Sequence, residues 1–147
     1  MSVIDADTHV DECESTWAKL EGTPYEKYIP VTVNLPPEVQ NHAGYPGLDT
    51  RMWLVEDRMQ NRAIRDDVNH PLRVYRELED VPGRLAHMDE MGVEIQVIYP
   101  TFFIRYSTDN AEAEWALTTT YNRWLAEKCA GTNGRLRWAA VLPFLRP

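Results

Sequence analysis

The chain has 147 residues, 44% hydrophobic and 26% charged, which suits one globular unit with a buried core and argues against a disordered tail. Fifteen Lys and Arg against 23 Asp and Glu give a formal charge of -8, a field that repels phosphate backbones and anionic lipid heads. Nucleic acid and membrane are therefore not expected as partners. No apolar run approaches the roughly 18 residues that a membrane span needs, and the opening residues lack a leader's basic and apolar regions, so the expected location is cytoplasmic. Cys13 and Cys129 lie far apart without zinc-ribbon spacing and read as reduced thiols.

In chain order, residues 3–6 form a short strand candidate that runs into a polar loop over 7–12. Residues 22–48 gather Pro24, Pro30, Pro36, Pro37 and Pro46 with Gly44 and Gly47, a composition that blocks helix interiors and central strands, and predict a long irregular excursion. Over 51–67, Leu54, Val55, Met59 and Ala63 loosely follow a helical period. A short helix is predicted over 72–78. A longer one starts at Pro82, carries Leu85, Met88 and Met91, and stops at Gly92.

The β-branched and aromatic run 93–99 predicts a strand ending at Pro100. Thr108 or Asp109 is placed to cap a helix reaching about Ala130, with Leu117, Tyr121, Trp124 and Leu125 on one face. Leu136, Trp138, Ala140 and Leu142 alternate over 135–145 as a third strand. The order β, excursion, α, β, α, β predicts a parallel α/β sheet or barrel.

Chemistry concentrates in the first strand. Strand alternation places Asp5, Asp7 and His9 on one face, with Ile4 and Ala6 packed under helices on the other. Two carboxylates and an imidazole together cost several kcal/mol per ion to desolvate unless a cation compensates, and a divalent metal is one compensator. Asp7 and His9 supply oxygen and nitrogen ligands of the kind Zn²⁺ or Mn²⁺ accepts, with Asp5 or Glu12 placed to orient the imidazole. A solvated strand end with ordinary surface charges accounts for the same triplet. His42, His70 and His87 receive no role. Trp115, Tyr121, Trp124 and Trp138 read as core, and Phe102 and Phe103 as loop packing, with a pocket wall beside Arg105 and Tyr106 as the second account.

Residues 3–10 (VIDADTHV) resemble the opening strand of the amidohydrolase-related, metal-dependent hydrolases of the amidohydrolase 2 type. Residues 84–101 resemble that family's helix leading into its second barrel strand, and 121–127 with 134–143 resemble the third unit. Three blocks stand in the family's order. The resemblance implies a TIM-barrel (β/α)8 fold and a single divalent ion, Zn²⁺ ahead of Mn²⁺, held by a first-strand His-x-His or acidic-x-His pair that matches Asp7 and His9. Asp7 departs from the His-x-His form.

A complete barrel takes about 250 residues, so three β/α units read as its amino-terminal part, one partial domain over 1–147 with the excursion at 22–48. The family's further ligating histidines and late-strand aspartate have no counterpart, and no catalytic base is assigned. The expected function is hydrolysis of a small-molecule substrate on the metal. Two alternatives stand beside it: non-oxidative decarboxylation of an aromatic or enol carboxylate at the same site, and a non-catalytic fragment or assembly module. An open three-strand sheet further implies a homo-oligomer or a completing chain. The barrel rule places the site at the strand ends, meaning Asp7 to His9, Tyr99 to Phe102, and Pro143 with Phe144.

Overall fold

A computed structural model of the chain describes residues 2–34, 51–62, 71–104 and 108–145. Its centre is a parallel sheet ordered β1-β5-β6, formed by β1 (Ile4–Val10), β5 (Ile95–Pro100) and β6 (Leu136–Trp138). Helix α3 (Val81–Glu90) leads into β5, and α4 (Ala111–Cys129) connects β5 to β6, so the expected α/β order is present. Gln96, Ile98 and Leu136 are buried on one face, together with Val10, Leu117, Tyr121 and Leu125. The chain is thus mixed α/β with a parallel sheet.

Local sequence explains the helix limits. Asp80 caps α3 by accepting from the Gly83 backbone N–H at 2.9 Å, with Pro82 in the first turn. Gly92 follows at φ +69°, the left-handed conformation that a residue without Cβ adopts at a helix end. The α4 cap is Asn110, not Thr108 or Asp109, because its Oδ1 accepts from Glu112 and Ala113 at 3.0 and 3.4 Å. Thr108 instead accepts from the Asn110 backbone N–H at 3.0 Å. Strand β6 is shorter than predicted. Beyond it the Asn122 side chain holds Val141 through paired bonds of 2.8 and 3.0 Å, a side-chain substitute for a ladder.

Two stretches differ more. Residues 51–61 are not helical: β3 (Arg51–Val55) and β4 (Arg58–Asn61) form a hairpin, and β2 (Val31–Asn34) pairs antiparallel with β3. Trp53 and Val55 are buried two residues apart, the period of a strand, and Glu56 takes φ +54° in the two-residue turn. The excursion therefore contains a strand at 31–34 and a single 3₁₀ turn at Glu26–Tyr28, while its 35–48 portion and residues 63–67 lie outside the described residues. The short α1 (Glu14–Trp17) follows β1, and α2 (Arg73–Arg76) occupies part of the predicted 72–78 helix.

The hairpin is fastened to the first β/α unit by a buried guanidinium. Arg62 bonds Glu14 at 2.7 Å, Thr32 at 2.8 Å and Glu77 at 3.4 Å, and stacks 4.3 Å from the Trp53 ring. Trp53 in turn meets Trp17 and Phe102 edge-on. Phe102 is buried and Phe103 packs on Tyr121, so both phenylalanines belong to the core and not to a pocket wall. Trp115 is 42% exposed, unlike buried Tyr121 and Trp124. Both cysteines are free. Among the described residues, no helix is long and apolar enough to cross a membrane.

Gly83 offers a sharp test of this packing. A Cβ there would stand 2.4 Å from both Asp80 Oδ2 and the Tyr75 ring, so alanine would force the capping carboxylate and the ring apart. Gly83→Ala is expected to destabilise the protein by about 1–3 kcal/mol in urea denaturation. Helix propensity alone predicts a gain of about 1 kcal/mol from the same change, so the sign of the result decides between them.

Candidate functional site

Strand β1 continues through the segment read as a loop, and its pairing with β5 sets which side chains meet. Asp5 is opposite Gln96 and Thr8 opposite Ile98, so residues 6 and 7 form a bulge against Val97 alone. The extra residue reverses the alternation. Asp5 lies on the helix-covered face, where Gln96 Nε2 donates to its Oδ2 at 3.1 Å. His9, opposite Tyr99, lies on the other face, and Ile4 is 54% exposed there and not packed beneath a helix. The predicted common face of Asp5, Asp7 and His9 is therefore not formed.

Asp7 and His9 do come together. Asp7 Oδ1 stands 3.8 Å from His9 Nε2. The other ring nitrogen, Nδ1, lies 3.0 Å from the Pro100 carbonyl oxygen. A carbonyl only accepts, so Nδ1 carries a proton, and in the neutral ring the unprotonated nitrogen is Nε2, on the Asp7 side. The Tyr99 ring flanks the imidazole at 6.2 Å. The sequence places Asp5 or Glu12 to orient this ring; among the described contacts neither carboxylate touches it, and the carbonyl at the carboxyl end of β5 is the group that does.

Two cavities meet at this pair. One, of ≈ 410 Å³, opens on the sheet face beside Asp7, His9, Tyr99, Pro100 and Ile104. The other, of ≈ 440 Å³, reaches between β1 and helices α2 and α3, past Asp5, Arg76, Arg84 and His87. In the second, Arg76 bonds Asp11 at 2.7 Å, and Arg84 bonds Gln96 and the Tyr75 carbonyl at 3.0 and 3.2 Å. Burial pushes the Arg84 guanidinium pKa down, against the pull of nearby anionic groups including Asp5 and Asp11. The arginines of this second cavity are engaged within the fold, and Asp7 and His9 line both cavities.

Of the three strand-end groups, His9 and Tyr99 to Phe102 are neighbours, whereas Pro143 and Phe144 line neither cavity. His42, His70, Arg105 and Tyr106 lie outside the described residues. His87 borders the larger cavity without joining a ligand cluster. Among the described residues, no group of three or more His, Cys, Asp and Glu is placed to hold a metal.

Glu12 has a part that strand alternation could not reveal. Fully buried, its carboxyl accepts from the Phe102 N–H at 2.8 Å and from the Thr101 N–H at 3.2 Å. Burial pushes its pKa up to about 8 despite those donors, with the Asp11 charge adding to the rise. Burial likewise pushes the Tyr121 hydroxyl up, with the Glu12 charge contributing. In contrast, Arg62 holds Glu14 down at about 2.

These shifts have opposite consequences for stability. The folded state keeps the Glu12 proton between about 4.5 and 8 while the unfolded chain releases it, so this group's contribution falls as pH rises through that window. The Glu14 contribution is present above about 4.5 and is lost as pH falls toward 2. Urea denaturation at pH 5.5 and pH 8 should give a lower stability at the higher pH, and Glu12→Gln should flatten that decline. Equal slopes in the two proteins would remove Glu12 as its source.

Among solved structures, the chain is similar to an amidohydrolase from Mycobacterium avium subsp. paratuberculosis K-10, with a TM-score of 0.64 and 18% sequence identity over 96% of this chain. The chain spans 42% of that protein's length. No family model matches the chain, and no curated protein matches it by sequence. The likeness concerns the fold: the mixed α/β arrangement around β1, β5 and β6 is shared with part of an amidohydrolase.

Proposed function

We propose that the chain is the amino-terminal part of a metal-dependent hydrolase of the amidohydrolase 2 type, a (β/α)8 barrel enzyme acting on a small-molecule substrate, with Asp7 and His9 as two ligands of one divalent ion, Zn²⁺ before Mn²⁺. The observation that carries this reading is the setting of the His9 ring: Nδ1 lies 3.0 Å from the Pro100 carbonyl oxygen, and Nε2 faces the Asp7 carboxylate 3.8 Å away. Metal-bound imidazoles are held in this way.

The donor set fits such an ion in part. Two donors each about 2.1 Å from a tetrahedral zinc stand about 3.4 Å apart, close to the separation here. A catalytic zinc takes three protein ligands, so at least one more comes from outside the described residues. When bound, the ion supplies Lewis-acid polarisation of the substrate and lowers the pKa of water to about 7. This chain's own residues hold the imidazole in one tautomer, present a carboxylate from an exposed bulge, and offer Ile104 and Tyr99 as the apolar cavity wall.

Zinc titration calorimetry on the full chain tests the reading. The expected result is saturation at up to one ion per chain, abolished in the double variant Asp7→Ala, His9→Ala. Both side chains are substantially exposed, 97% and 40%, so the double variant should keep its folding free energy within about 0.5 kcal/mol per substitution. Unchanged zinc stoichiometry would refute the assignment.

The open sheet supports a companion proposal, that the unit is completed by another chain, a second copy or further strands. Among the described residues, β1 and β6 each pair on one side only, and Ile4, Tyr99 and Ile104 are exposed on or beside the His9 face. Sedimentation of the chain alone should show self-association that grows with concentration; a monomer at every concentration that binds no hydrophobic dye would count against it.

A further inference from the structure

The geometry points to Glu12 as a positioning residue for His9, acting through the Pro100–Thr101 peptide group. One trans peptide unit contains both the Pro100 carbonyl and the Thr101 N–H, pointing in opposite directions. Its oxygen accepts from His9 Nδ1 at 3.0 Å, while its N–H donates to Glu12 at 3.2 Å. The next N–H, that of Phe102, donates to the same carboxyl at 2.8 Å, so two successive amides are clamped. A peptide plane held at its N–H cannot rotate its carbonyl away from the imidazole.

Two consequences follow from the arrangement. The first is orientational: with the carbonyl fixed, the Nδ1–H tautomer is selected and Nε2 is left toward Asp7. The second is electronic. A hydrogen bond accepted from a peptide N–H polarises the amide, which makes its carbonyl a better acceptor. Glu12 therefore strengthens the bond to Nδ1–H and makes Nε2 more electron-rich. A carboxyl group that orients a ligating histidine usually touches it; here a peptide group stands between them. Glu12 reaches this place because β1 carries on past His9 and Val10 into the core, where Glu12 is 2% exposed. Its partners, at the carboxyl end of β5, are about 90 positions away in sequence.

The zinc arm of the test rests on the reading of His9 as a ligand; the tautomer arm does not. Nitrogen-15 spectra of the His9 ring at about pH 8, where a histidine is ordinarily neutral, should show mainly the Nδ1–H form in the wild-type chain, with slowly exchanging Thr101 and Phe102 amides. Glu12→Met removes the acceptor and should lower the Nδ1–H to Nε2–H ratio about fivefold or more. Glu12→Gln keeps a carbonyl oxygen at the same reach and should restore the ratio. Zinc affinity should fall about 10- to 100-fold in the Met variant and recover in the Gln variant.

A folded Met variant with an unchanged ratio overturns the proposal, because a purely structural role lowers the melting temperature and leaves the tautomer alone. If the Met variant does not fold, the wild-type spectrum decides: a majority Nε2–H form overturns the proposal and a majority Nδ1–H form supports it. Absence of zinc binding together with a Glu12-dependent tautomer would sink the metal reading and leave the positioning role standing.

Discussion

The bulge in the β1–β5 pairing governs most of what the site can be. Three steps along β1 from Asp5 to Thr8 match two along β5 from Gln96 to Ile98. Without the extra residue, Asp5 and His9 would share a face and the imidazole would stand beside a carboxylate four residues upstream. With it, Asp5 turns into the polar layer beneath α3, where Gln96 joins it to Arg84. His9 turns out to the open face. The bulge also leaves the Asp7 side chain 97% exposed, where a carboxylate keeps its hydration. Bulges often re-aim side chains next to functional sites, and here one separates an internal polar network from the external pair Asp7 and His9.

The second organising feature is the set of guanidinium groups that replace apolar packing between the layers. Arg76 pairs with Asp11, Arg84 with Gln96 and two carbonyls, and Arg62 with Glu14 and Glu77. Buried ion pairs add little net stability compared with apolar replacements, since desolvation offsets the attraction. Their value is directional. Arg62 reaches its partners only if the β3–β4 hairpin lies over α1, and Arg76 reaches Asp11 only if α2 closes on the end of β1. Each fixes a loop-like segment over the strand ends. Most of the aromatic contacts around Trp17, Trp53, Phe102 and Phe103 then fill the space so defined.

This division explains what could be seen in the amino-acid sequence. Elements whose signal is local were legible: the Pro82 start and Gly92 stop of α3, the Val- and Ile-rich β5, and the face of α4 bearing Leu117, Tyr121, Trp124 and Leu125. The Asp7 and His9 pair was legible as a pair, because two residues apart on a strand they remain close whichever way the strand turns. Features set by pairing were not. No residue in 3–10 marks the bulge, so the face of Asp5 was assigned wrongly. The hairpin at 51–61 was hidden because Arg, Met and Gln tolerate helix as well as strand, and only the burial of Trp53 and Val55 exposes the two-residue period. Glu12 was legible as an acidic neighbour of His9 but not as a clamp on Thr101 and Phe102, a contact across the sheet ends.

Sheet closure and the proposed metal centre can be seen as one requirement. In a barrel, site residues come from the ends of several different strands, so a single strand supplies only a share of the donors. The structure holds a carboxylate and an imidazole side by side on β1, a carbonyl from β5 against the imidazole, and a sheet whose outer strands each keep an unpaired edge among the described residues. Strands that satisfied those edges would bring new strand ends to the rim where Asp7 and His9 stand. Metal binding would then favour the closed assembly over the open one, because an ion bound by donors from both parts stabilises only the state in which they are joined. On the proposed reading, assembly and metal affinity rise together, because the strands that pair those edges would also supply the further ligands.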